Sequence, residues 1–450
     1  MKMATLTVRE RIHRARRVGT TFGRVYIGIK TNQLIERRLS PPDMKQRWSR
    51  FNQDSANSIY RTAVDLRGLI LKGCQFIGSR ADVLPPEYVR VLSQLQDRVP
   101  AKSFAVVRRR VESELDRPLE DIFASFSEEP IAAASLAQVH EATLKSGERV
   151  AVKVQYPEIE ALVNSDLRNL KMLFRAVGWI ERDFDMMPLV RELATYVPRE
   201  LDFVNEAHNA EQVAGSFAAQ DDIGVPRVYW QYTTKRVLVM EFIDGIKISD
   251  VGALRGADVD LNALMQTLVE AYCQQILTHG FFHADPHPGN LLVQPDGAGP
   301  GRARIVFVDF GLAKDLPNEF RRGIVDFAAA LLTGKPREMA QAMVELGFET
   351  RDGHSENLEE IARIVLELAA QMRHQSFIDP ALARQAGEEL PRLVRANPIV
   401  RMPSHIVLIG RVIGLLSGLG STLGARIDML RTILPYAMGT GTRSPSPPNA

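Results

Sequence analysis

The chain has 450 residues, of which 45% are hydrophobic and 24% are charged, and this balance is ordinary for a soluble globular enzyme. Lys and Arg nearly balance Asp and Glu, so the formal charge is +2 and does not indicate a nucleic-acid partner. Two cysteines, Cys74 and Cys273, exclude a disulfide framework, and no Cys/His cluster has zinc spacing. We therefore expect a reducing, cytoplasmic setting.

Positive charge is concentrated at the start of the chain. Residues 1–50 contain thirteen Lys and Arg against three Asp and Glu, a net charge of about +10, and apolar residues recur at helical spacing over residues 5–38. Neither the apolar core of a signal peptide nor a run of eighteen uncharged apolar residues is found. The pattern predicts peripheral contact with the inner face of a membrane through residues 1–50. The alternative is that these arginines form a solvated face or pair with the acidic remainder of the chain.

Periodicity changes along the chain from helical to β and back. Further helices are expected at about residues 52–100 and 104–126. From residue 131, "IAAASLAQVHEATLKSGERVAVKVQYP" contains two apolar runs joined by a Ser-Gly turn, which is typical of a β-hairpin. Helices are predicted from about 158 to 218, and a second hairpin follows in "VPRVYWQYTTKRVLVMEFIDG".

The last third of the chain is predicted to be mainly helical. An amphipathic helix is expected at residues 260–280, and helical periodicity continues from 320 to about 436. Within it, "IVLIGRVIGLLSGLGSTLG" (406–424) is apolar but interrupted by Arg411. Three glycines recur in it every four residues: Gly410, Gly414 and Gly418. They would give the helix one smooth face, which we expect to pack closely inside a lobe.

The segment "FFHADPHPGNLLV" (281–293) places polar residues between two apolar runs, in a loop rich in proline and glycine. Asp285 and Asn290 lie in this loop, and the apolar strand of "RIVFVDFGLAK" then delivers Asp309 directly before Phe-Gly. Phosphoryl transfer needs such a set. One carboxylate orients or deprotonates the acceptor hydroxyl, while an amide oxygen and a second carboxylate hold Mg²⁺. The ordered pair of loops is typical of the catalytic and metal loops of a kinase.

The strand "VAVKV" carries Lys153 among alternating apolar residues, as expected for a lysine that contacts the α- and β-phosphates of a nucleotide. A surface lysine on a strand is the simpler interpretation, but this strand follows a small-residue loop and precedes the Asp/Asn loop by about 130 residues. Glu206, on a later helix, would hold Lys153 in place. "VLVMEFIDG" then has the pattern of a hinge between lobes. Backbone groups near Glu241 and Ile243 would bond an adenine there, with Met240 behind it.

Together these motifs resemble those of the UbiB/ADCK-type atypical kinases. In chain order they are "LKGCQFIGSRADVLPPEYV", "AAASLAQVH", "VAVKVQYP", "ELDFVNEAHN", "HADPHPGN" and "VDFG", spread over residues 70–311. The resemblance implies an α+β, atypical protein-kinase-like fold of two lobes, with a helical N-terminal extension and a mostly helical second lobe. The corresponding segments are residues 1–103 for the extension, 104–245 for the first lobe, 246–436 for the second lobe and 437–450 for a tail of disordered composition.

The resemblance assigns roles to individual residues. Lys153 and Glu206 correspond to the ion pair, Asp285 to the catalytic aspartate, and Asn290 and Asp309 to the metal ligands. The loop that covers the phosphates is rich in alanine where protein kinases use glycine; its residues are Ala132, Ala133, Ala134 and Ser135. Its backbone N–H groups can still reach phosphates, although each Cβ limits how closely the loop can close.

In this family a Lys-x-Gly-Gln helix of the extension folds over the active site and meets a Glu-x-Asp segment. The resemblance assigns Lys72 and Gln75 to the first motif and Glu200 and Asp202 to the second, as a regulatory contact. The two residues of the first motif keep the spacing that puts them on one face of a helix. The chain departs from the family pattern at Cys74, where relatives have glycine.

The function implied is that of a kinase or ATPase that binds ATP (or ADP) with Mg²⁺ and supports isoprenoid quinone or other lipid metabolism at a membrane surface. The expected partners are nucleotide and a quinone-like lipid, without nucleic acid, and the oligomeric state is left open. We interpret His140 and His283 as structural. His287 either bonds the backbone of its loop, which is the interpretation we favour, or contacts a metal or phosphate.

Two other functions are weighed against this one. A small-molecule phosphotransferase of the aminoglycoside or choline kinase type shares the His-x-Asp-x-His-x-x-Asn loop, but it accounts for neither the Ala-rich loop nor the extension. A non-catalytic scaffold that binds nucleotide is the second alternative, and the complete set of catalytic residues argues against it.

Overall fold

The structure is a computed structural model. It describes residues 7–36, 40–78, 84–95, 101–180, 194, 201–295, 301–353, 356–372, 399–401, 403–427 and 429–437. The chain divides into two compact units. Unit 1 comprises Met1–Ala207 and Val228–Phe242, and unit 2 comprises His208–Arg227 and Ile243–Ala450. The tail expected at 437–450 falls almost entirely outside the described residues, and the separation of an extension from a first lobe at residue 103 stays a prediction.

The helices are, in chain order, α1 (Val8–Glu36), α2 (Pro41–Leu66), α3 (Gly68–Gly78), α4 (Pro86–Leu92), α5 (Phe104–Leu115), α6 (Leu119–Ile122), α7 (Ile159–Ile180), α8 (Phe203–Ser216), α9 (Val251–Gly256), α10 (Leu261–Cys273), α11 (Asn318–Thr333), α12 (Pro336–Leu346), α13 (Glu356–Met372), α14 (Ser404–Leu423) and α15 (Met429–Ala437). The strands are β1 (Phe123–Ala133), β2 (Ala137–Leu144), β3 (Arg149–Gln155), β4 (Ile223–Gly224), β5 (Val237–Glu241), β6 (Ile246–Lys247), β7 (Phe281–His283), β8 (Leu291–Pro295), β9 (Ala303–Phe307), β10 (Ala313–Asp315), β11 (Glu349–Thr350) and β12 (Ile399–Arg401).

Helices α1 and α2 pack against each other at the start of unit 1. The Ser40 side chain caps the N-terminus of α2 by accepting a hydrogen bond from the Asp43 N–H, and prolines occupy its first turn. α1 is attached to α7 by a buried ion pair, in which Arg14 Nε lies 2.9 Å from Asp166 Oδ1. Another Arg14 nitrogen donates to the Leu66 carbonyl at the end of α2. These contacts fix the inner side of α1 against its neighbours.

The sheet of unit 1 has the strand order β1–β2–β3–β5, with antiparallel neighbours throughout. Val150, Val152 and Val154 on β3 are buried, so one face of the strand enters the core and the other face presents Lys153. The core beneath this sheet also includes buried residues of α5 and α6. The sheet thus holds the predicted lysine strand at its centre.

Strand β1 begins at Phe123, so the prediction of helix up to residue 126 is wrong there. β1 is an edge strand with three register shifts against β2, and its burial does not alternate residue by residue. Bulges of this kind interrupt the two-residue period by which a strand is recognised. The second predicted hairpin is also reduced, to one isolated bridge between Val228 and Met240 beside a 3₁₀ turn at Trp230–Tyr232.

Unit 2 contains a four-stranded sheet, order β4–β9–β8–β6, and a separate antiparallel pair formed by β7 and β10. Asp260 caps the N-terminus of α10, and its carboxylate accepts from the Asn262 N–H at 2.8 Å. The helix continues as a π-helical turn, Gln274–His279, and ends at Gly280 with a left-handed φ of 70°. The turn leads directly into β7, which carries the predicted catalytic loop.

The glycine face of α14 is not packed as predicted. Gly410, Gly414 and Gly418 are exposed, and apart from the adjoining backbone of α14 itself no described atom lies within 4 Å of a Cβ built at any of them. The segment after residue 320 is mainly helical as expected, but it also contains the short β11–β12 pair. No helix among the described residues is long and apolar enough to cross a membrane.

Candidate active site

Lys153 and Glu206 form an ion pair in unit 1. Lys153 Nζ lies 2.6 Å from Glu206 Oε1, and the two side chains are 14% and 3% exposed. Glu206 lies in the first turn of α8, whose N-terminus is capped by Asp202 Oδ1 accepting from the Val204 N–H at 3.1 Å. Lys153 Nζ is also 5.3 Å from the centre of the Phe203 ring. Two residues 53 positions apart in sequence are therefore brought together as the motifs predict.

The predicted regulatory contact of the extension is only partly described. Lys72 and Gln75 lie on α3, but their side chains and all of Glu200 are outside the described residues. Asp202 is described, and besides capping α8 it lies 3.9 Å from the exposed Lys235 ammonium. The contact between the two motifs stays a prediction.

Cys74, where relatives have glycine, packs its side chain against an apolar cluster that includes Ile70 and Leu71. Burial raises the pKa of its thiol to about 12, so the thiol stays protonated. At 100° per residue, position 74 lies about 200° around the helix from position 72. The departure from glycine therefore falls on the side of α3 that faces the core.

The Ala-rich segment forms the connection between β1 and β2. Ala132 and Ala133 still pair with β2, opposite Val139 and Gln138. The turn is closed by a hydrogen bond of 2.8 Å from the Ala134 N–H to the Ala137 carbonyl, with Ser135 inside it. The predicted loop is thus a tight turn at the end of the sheet.

The predicted hinge follows β5. Met240 is 5% exposed, whereas Glu241 is exposed at the end of the strand. The Phe242 N–H donates to the Arg149 carbonyl at 3.1 Å, and the boundary between the two units falls between Phe242 and Ile243. This boundary falls within the predicted hinge segment, three residues before the lobe boundary expected at residue 245, and the role of the segment as a hinge stays a prediction.

In unit 2, the catalytic loop is held by its own backbone and side chains. Asn290 Nδ2 donates to the Asp285 carbonyl at 3.2 Å, and His287 Nδ1 accepts from the Gly289 N–H at 3.1 Å. The Val308 N–H donates to the Asn290 carbonyl at 3.1 Å, which joins this loop to the segment that carries Asp309. His287 thus bonds the backbone of its own loop, as the favoured interpretation expects. The loops of Asp285, Asn290 and Asp309 are thereby assembled within one unit.

His283 connects the catalytic loop with the metal loop. Its Nε2 bonds the Asp309 carbonyl, its Nδ1 lies 3.1 Å from the Tyr272 hydroxyl, and its ring meets that of Phe310 edge-on at 5.7 Å. Burial lowers the pKa of His283, so the ring is neutral. A carbonyl can only accept, so Nε2 carries the proton and Nδ1 accepts from the Tyr272 O–H. His283 is therefore a structural residue, as the sequence suggests.

His140 is also structural. It is fully buried, with Nε2 2.8 Å from Gln138 Nε2 and Nδ1 2.8 Å from the Ser127 carbonyl. Burial lowers its pKa. Both ring nitrogens have partners in the fold, which leaves no reason to assign it a ligand.

Two residues of unit 2 that sequence reasoning did not assign also contact these loops. Asn209, on α8, donates from Nδ2 to the Phe310 carbonyl at 3.0 Å. Arg411, on α14, places a guanidinium nitrogen 2.7 Å from Asp285 Oδ1. Asn209 is part of the motif "ELDFVNEAHN" and could have been found there. Arg411 attracted notice in the sequence only as an interruption of an apolar run.

The chemistry of the loops fits a Mg²⁺ ion that is held jointly with phosphates. Asn290 uses its Nδ2 as a donor to backbone, which leaves its Oδ1 as an oxygen ligand, and Asp309 supplies a carboxylate. Among the described residues no group of three His, Cys, Asp or Glu side chains is placed to hold a metal alone. Magnesium in kinases usually takes one or two protein oxygens together with substrate phosphates, so this is the arrangement expected.

Residues 94–343, more than half of the chain, match the model of the ABC1 atypical kinase-like domain. The chain belongs to the ABC1 atypical kinase-like family. This result confirms the resemblance to UbiB/ADCK-type kinases and the kinase-like α+β fold. An uncharacterized protein of Synechocystis is 32% identical over 415 residues, covering 91% of this chain and 70% of that protein.

Two named relatives give the same family. "Protein ACTIVITY OF BC1 COMPLEX KINASE 8, chloroplastic" of Arabidopsis thaliana is 36% identical over 81% of this chain and 51% of that protein. "AarF domain-containing protein kinase 1" of Mus musculus is 40% identical over 61% of this chain and 52% of that protein. The chain spans about half the length of these two relatives. One solved structure that matches is the complex of Rv3197 with erythromycin from Mycobacterium tuberculosis. Its TM-score is 0.61 at 22% sequence identity, and the match covers 89% of this chain and 100% of that one. The two chains therefore share a fold.

Proposed function

We propose that the chain binds ATP with Mg²⁺ and hydrolyses or transfers the γ-phosphoryl group. The observation that carries this proposal is the assembly of Asp285, Asn290 and Asp309 on two loops joined by the Val308–Asn290 hydrogen bond of 3.1 Å and by the His283 side chain. A hydroxyl-orienting carboxylate and two oxygen ligands for Mg²⁺ are the protein groups that phosphoryl transfer requires.

The ion pair of unit 1 supports the same function. Lys153 would neutralise charge on the α- and β-phosphates, and Glu206, which is almost fully buried, restricts where its ammonium can lie. In unit 2, Asn290 and Asp309 would hold Mg²⁺, which when bound neutralises phosphate charge. Asp285 would accept a hydrogen bond from the attacking hydroxyl or water. ADP is the alternative nucleotide.

Metal-dependent nucleotide binding tests the proposal. Nucleotide with Mg²⁺ at about 100 times its dissociation constant should stabilise the folded chain by roughly 2.7 kcal/mol. Asp309→Asn should remove most of the Mg²⁺-dependent part of this stabilisation, measured by thermal unfolding with and without Mg²⁺. Asp315→Asn, at an exposed carboxylate on β10, is the matched control and should leave it unchanged. Equal stabilisation of wild type and Asp309→Asn would reject the site.

We further propose that unit 1 makes peripheral contact with an anionic membrane through α1. Four large apolar residues of α1 are strongly exposed: Val8 (71%), Ile12 (62%), Ile27 (64%) and Leu34 (76%). At 100° per residue they fall within an arc of about 100°, away from the side held by Arg14. Exposed arginines lie beside them, and each cation near an anionic surface contributes about 1 kcal/mol. Not all of the basic residues are available, because Arg14 and Arg17 pair with Asp166 and Asp65.

Flotation with anionic vesicles tests this contact. The full chain should float at low salt and be released at high salt, whereas a variant with Ile12, Ile27 and Leu34 replaced by Ser should float poorly at either. Met172→Ser and Val344→Ser, which remove exposed apolar residues outside α1, are the matched controls. Equal flotation of all variants would exclude α1 as the anchor.

The proposed biological setting is isoprenoid quinone or other lipid metabolism at that surface. It is supported by the family and by the apolar stripe of α1. Turnover of ATP should rise when a quinone-like lipid is included in the vesicles, and Asp285→Asn should remain inactive with or without the lipid. If no such lipid changed the turnover of ATP, the proposed nucleotide chemistry would stand but the proposed role in lipid metabolism would be rejected.

A further inference from the structure

The carboxylate of Asp285 is held from outside its own loop. Arg411 donates from a terminal guanidinium nitrogen to Asp285 Oδ1 at 2.7 Å, and the two side chains are 20% and 24% exposed. The residues are 126 positions apart in sequence, and both belong to unit 2. A partly buried contact between opposite charges at this distance restricts the rotation of the carboxylate.

The helix that carries Arg411 is fixed by apolar burial. Leu408, Val412, Leu416 and Leu419 are each at most 5% exposed and form one side of α14. Two of them, Leu408 and Val412, lie within one turn of Arg411. A side chain that projects from such a helix has a defined origin, so Arg411 presents its guanidinium to Asp285 from a rigid support.

Two polar atoms of the pair have no hydrogen-bond partner in the part of the chain that the structure describes. Arg411 Nε is buried and makes no hydrogen bond within the described part of the chain. Asp285 Oδ2 likewise has no hydrogen-bond partner among the described residues, since the contact with Arg411 engages Oδ1. Two side chains that contact each other therefore keep an acceptor oxygen and an N–H donor without a partner among the described residues, and an attacking hydroxyl or water needs such an acceptor.

We propose that Arg411 is a positioning residue for Asp285: it holds Oδ1 so that Oδ2 faces the attacking hydroxyl or water. The inference rests on the proposed function. In the transfer step the acceptor O–H gives its proton to Asp285 Oδ2, and its oxygen forms a bond to the γ-phosphorus. The bond from that phosphorus to the bridging oxygen breaks, and ADP leaves with the electron pair. Arg411 touches none of the reacting atoms and acts through Asp285.

The opposite role would be that of a latch, in which Arg411 blocks Asp285 until α14 moves away. The apolar burial of α14 favours positioning, because release would expose several fully packed side chains. The two roles give opposite results: loss of Arg411 lowers turnover if it positions Asp285 and raises turnover if it blocks Asp285.

The test compares Arg411→Met, Arg411→Lys, Asp285→Asn and the double variant Asp285→Asn/Arg411→Met. Arg363→Met is the matched control, because it removes an arginine of unit 2 from a surface pair with Glu359. For each we would measure kcat and KM for ATP, and the Mg²⁺-dependent stabilisation by nucleotide. A third measurement, the unfolding equilibrium, gives the coupling between positions 285 and 411 independently of turnover.

Arg411→Met should lower kcat by about tenfold to a hundredfold, as expected for a misplaced catalytic group, while nucleotide stabilisation stays as in the wild type. Arg411→Lys should recover part of the loss, because an ammonium can still reach one carboxylate oxygen. In the Asp285→Asn background the loss of Arg411 should have no further effect on kcat. The unfolding cycle should show a coupling of about tenfold, and Arg363→Met should change none of these quantities.

Three results would overturn the inference: a kcat of Arg411→Met equal to or above wild type, additive effects of the two substitutions on kcat, or no coupling in the unfolding cycle. A wild-type chain that binds Mg²⁺-nucleotide but turns it over no faster than Asp285→Asn would remove the catalytic role of both residues. Absence of Mg²⁺-dependent binding would reject the proposed function, and the unfolding cycle would still decide whether Arg411 holds Asp285.

Discussion

Replacement of Lys153 by Met should destabilise the chain more than replacement of Glu206 by Gln. The two side chains are joined at 2.6 Å, but they differ in exposure, with Lys153 at 14% and Glu206 at 3%. A lysine that loses its partner can extend its flexible stem towards water. A carboxylate buried on α8 cannot move out in this way, so removal of the ammonium takes the ion-pair partner from a buried charge.

The magnitude follows from the distance and the burial. Two unit charges 2.6 Å apart attract by roughly 6 kcal/mol at an effective dielectric constant of about 20, before the cost of removing them from water is subtracted. Loss of one partner of a buried pair usually costs about 3–5 kcal/mol. We expect Lys153→Met to fall in this range and Glu206→Gln to cost about 1–2 kcal/mol, because the amide keeps a hydrogen-bonding group near the lysine.

Equilibrium unfolding in urea at pH 7 measures both values. The double variant Lys153→Met/Glu206→Leu is the decisive control, since removal of both charges should cost less than Lys153→Met alone. Arg149→Met, which breaks an exposed pair with Glu141 on the same sheet, should cost less than about 1 kcal/mol. If Glu206→Gln costs more than Lys153→Met, or if the double variant is the least stable of all, then burial of the carboxylate does not dominate this pair.

Two further predictions concern buried histidines. Tyr272→Phe removes the donor to His283 Nδ1 and leaves a buried acceptor unpaired. It should lower the free energy of unfolding by about 1–3 kcal/mol and lower turnover. A change near zero in the free energy of unfolding would contradict the assigned tautomer. Burial lowers the pKa of His140 and of His283 in the folded chain, so below a pH of about 6.5 the unfolded chain binds protons that the folded chain does not. The free energy of unfolding should therefore fall as pH decreases from about 6.5 to 5, by at most about 1.4 kcal/mol per pH unit for each histidine. Urea titrations at successive pH values measure this slope, and His140→Gln should make it less steep. An unchanged slope would show that His140 does not contribute.

Most of the candidate site could be predicted from local patterns in the sequence. Asp285, Asn290 and Asp309 are recognisable because each occupies a fixed offset in a short loop next to an apolar strand. Lys153 was recognisable from the alternation of β3, and its pairing with Glu206 followed from the order of motifs. In each case the residue is recognised from its immediate sequence neighbours, which a single sequence displays.

Other features depend on contacts that no local pattern marks. β1 was missed at its start because its three register shifts disturb the alternation that identifies a strand. Tyr272 could be read only as one apolar position of an amphipathic helix, whereas its hydroxyl bonds His283 eleven residues later. Arg411 reaches Asp285 across 126 residues, and a single arginine in an apolar stretch has no spacing that indicates a partner.

α14 has two faces that could pack against the rest of the protein, and the amount of apolar surface on each determines which one is buried. The repeat of Gly410, Gly414 and Gly418 suggested close backbone approach, but leucine and valine positions on another side bury far more apolar surface, at about 25 cal/mol for each Å² removed from water. In the structure the apolar side is buried and the glycines are exposed. Arg411 lies about 20° from Gly418 and 60° from Gly414 around the helix, and about 100° from Val412, so it stands at the edge of the glycine side. Burial of the leucines therefore leaves Arg411 beside, and not within, the most buried side of α14, where its guanidinium contacts Asp285.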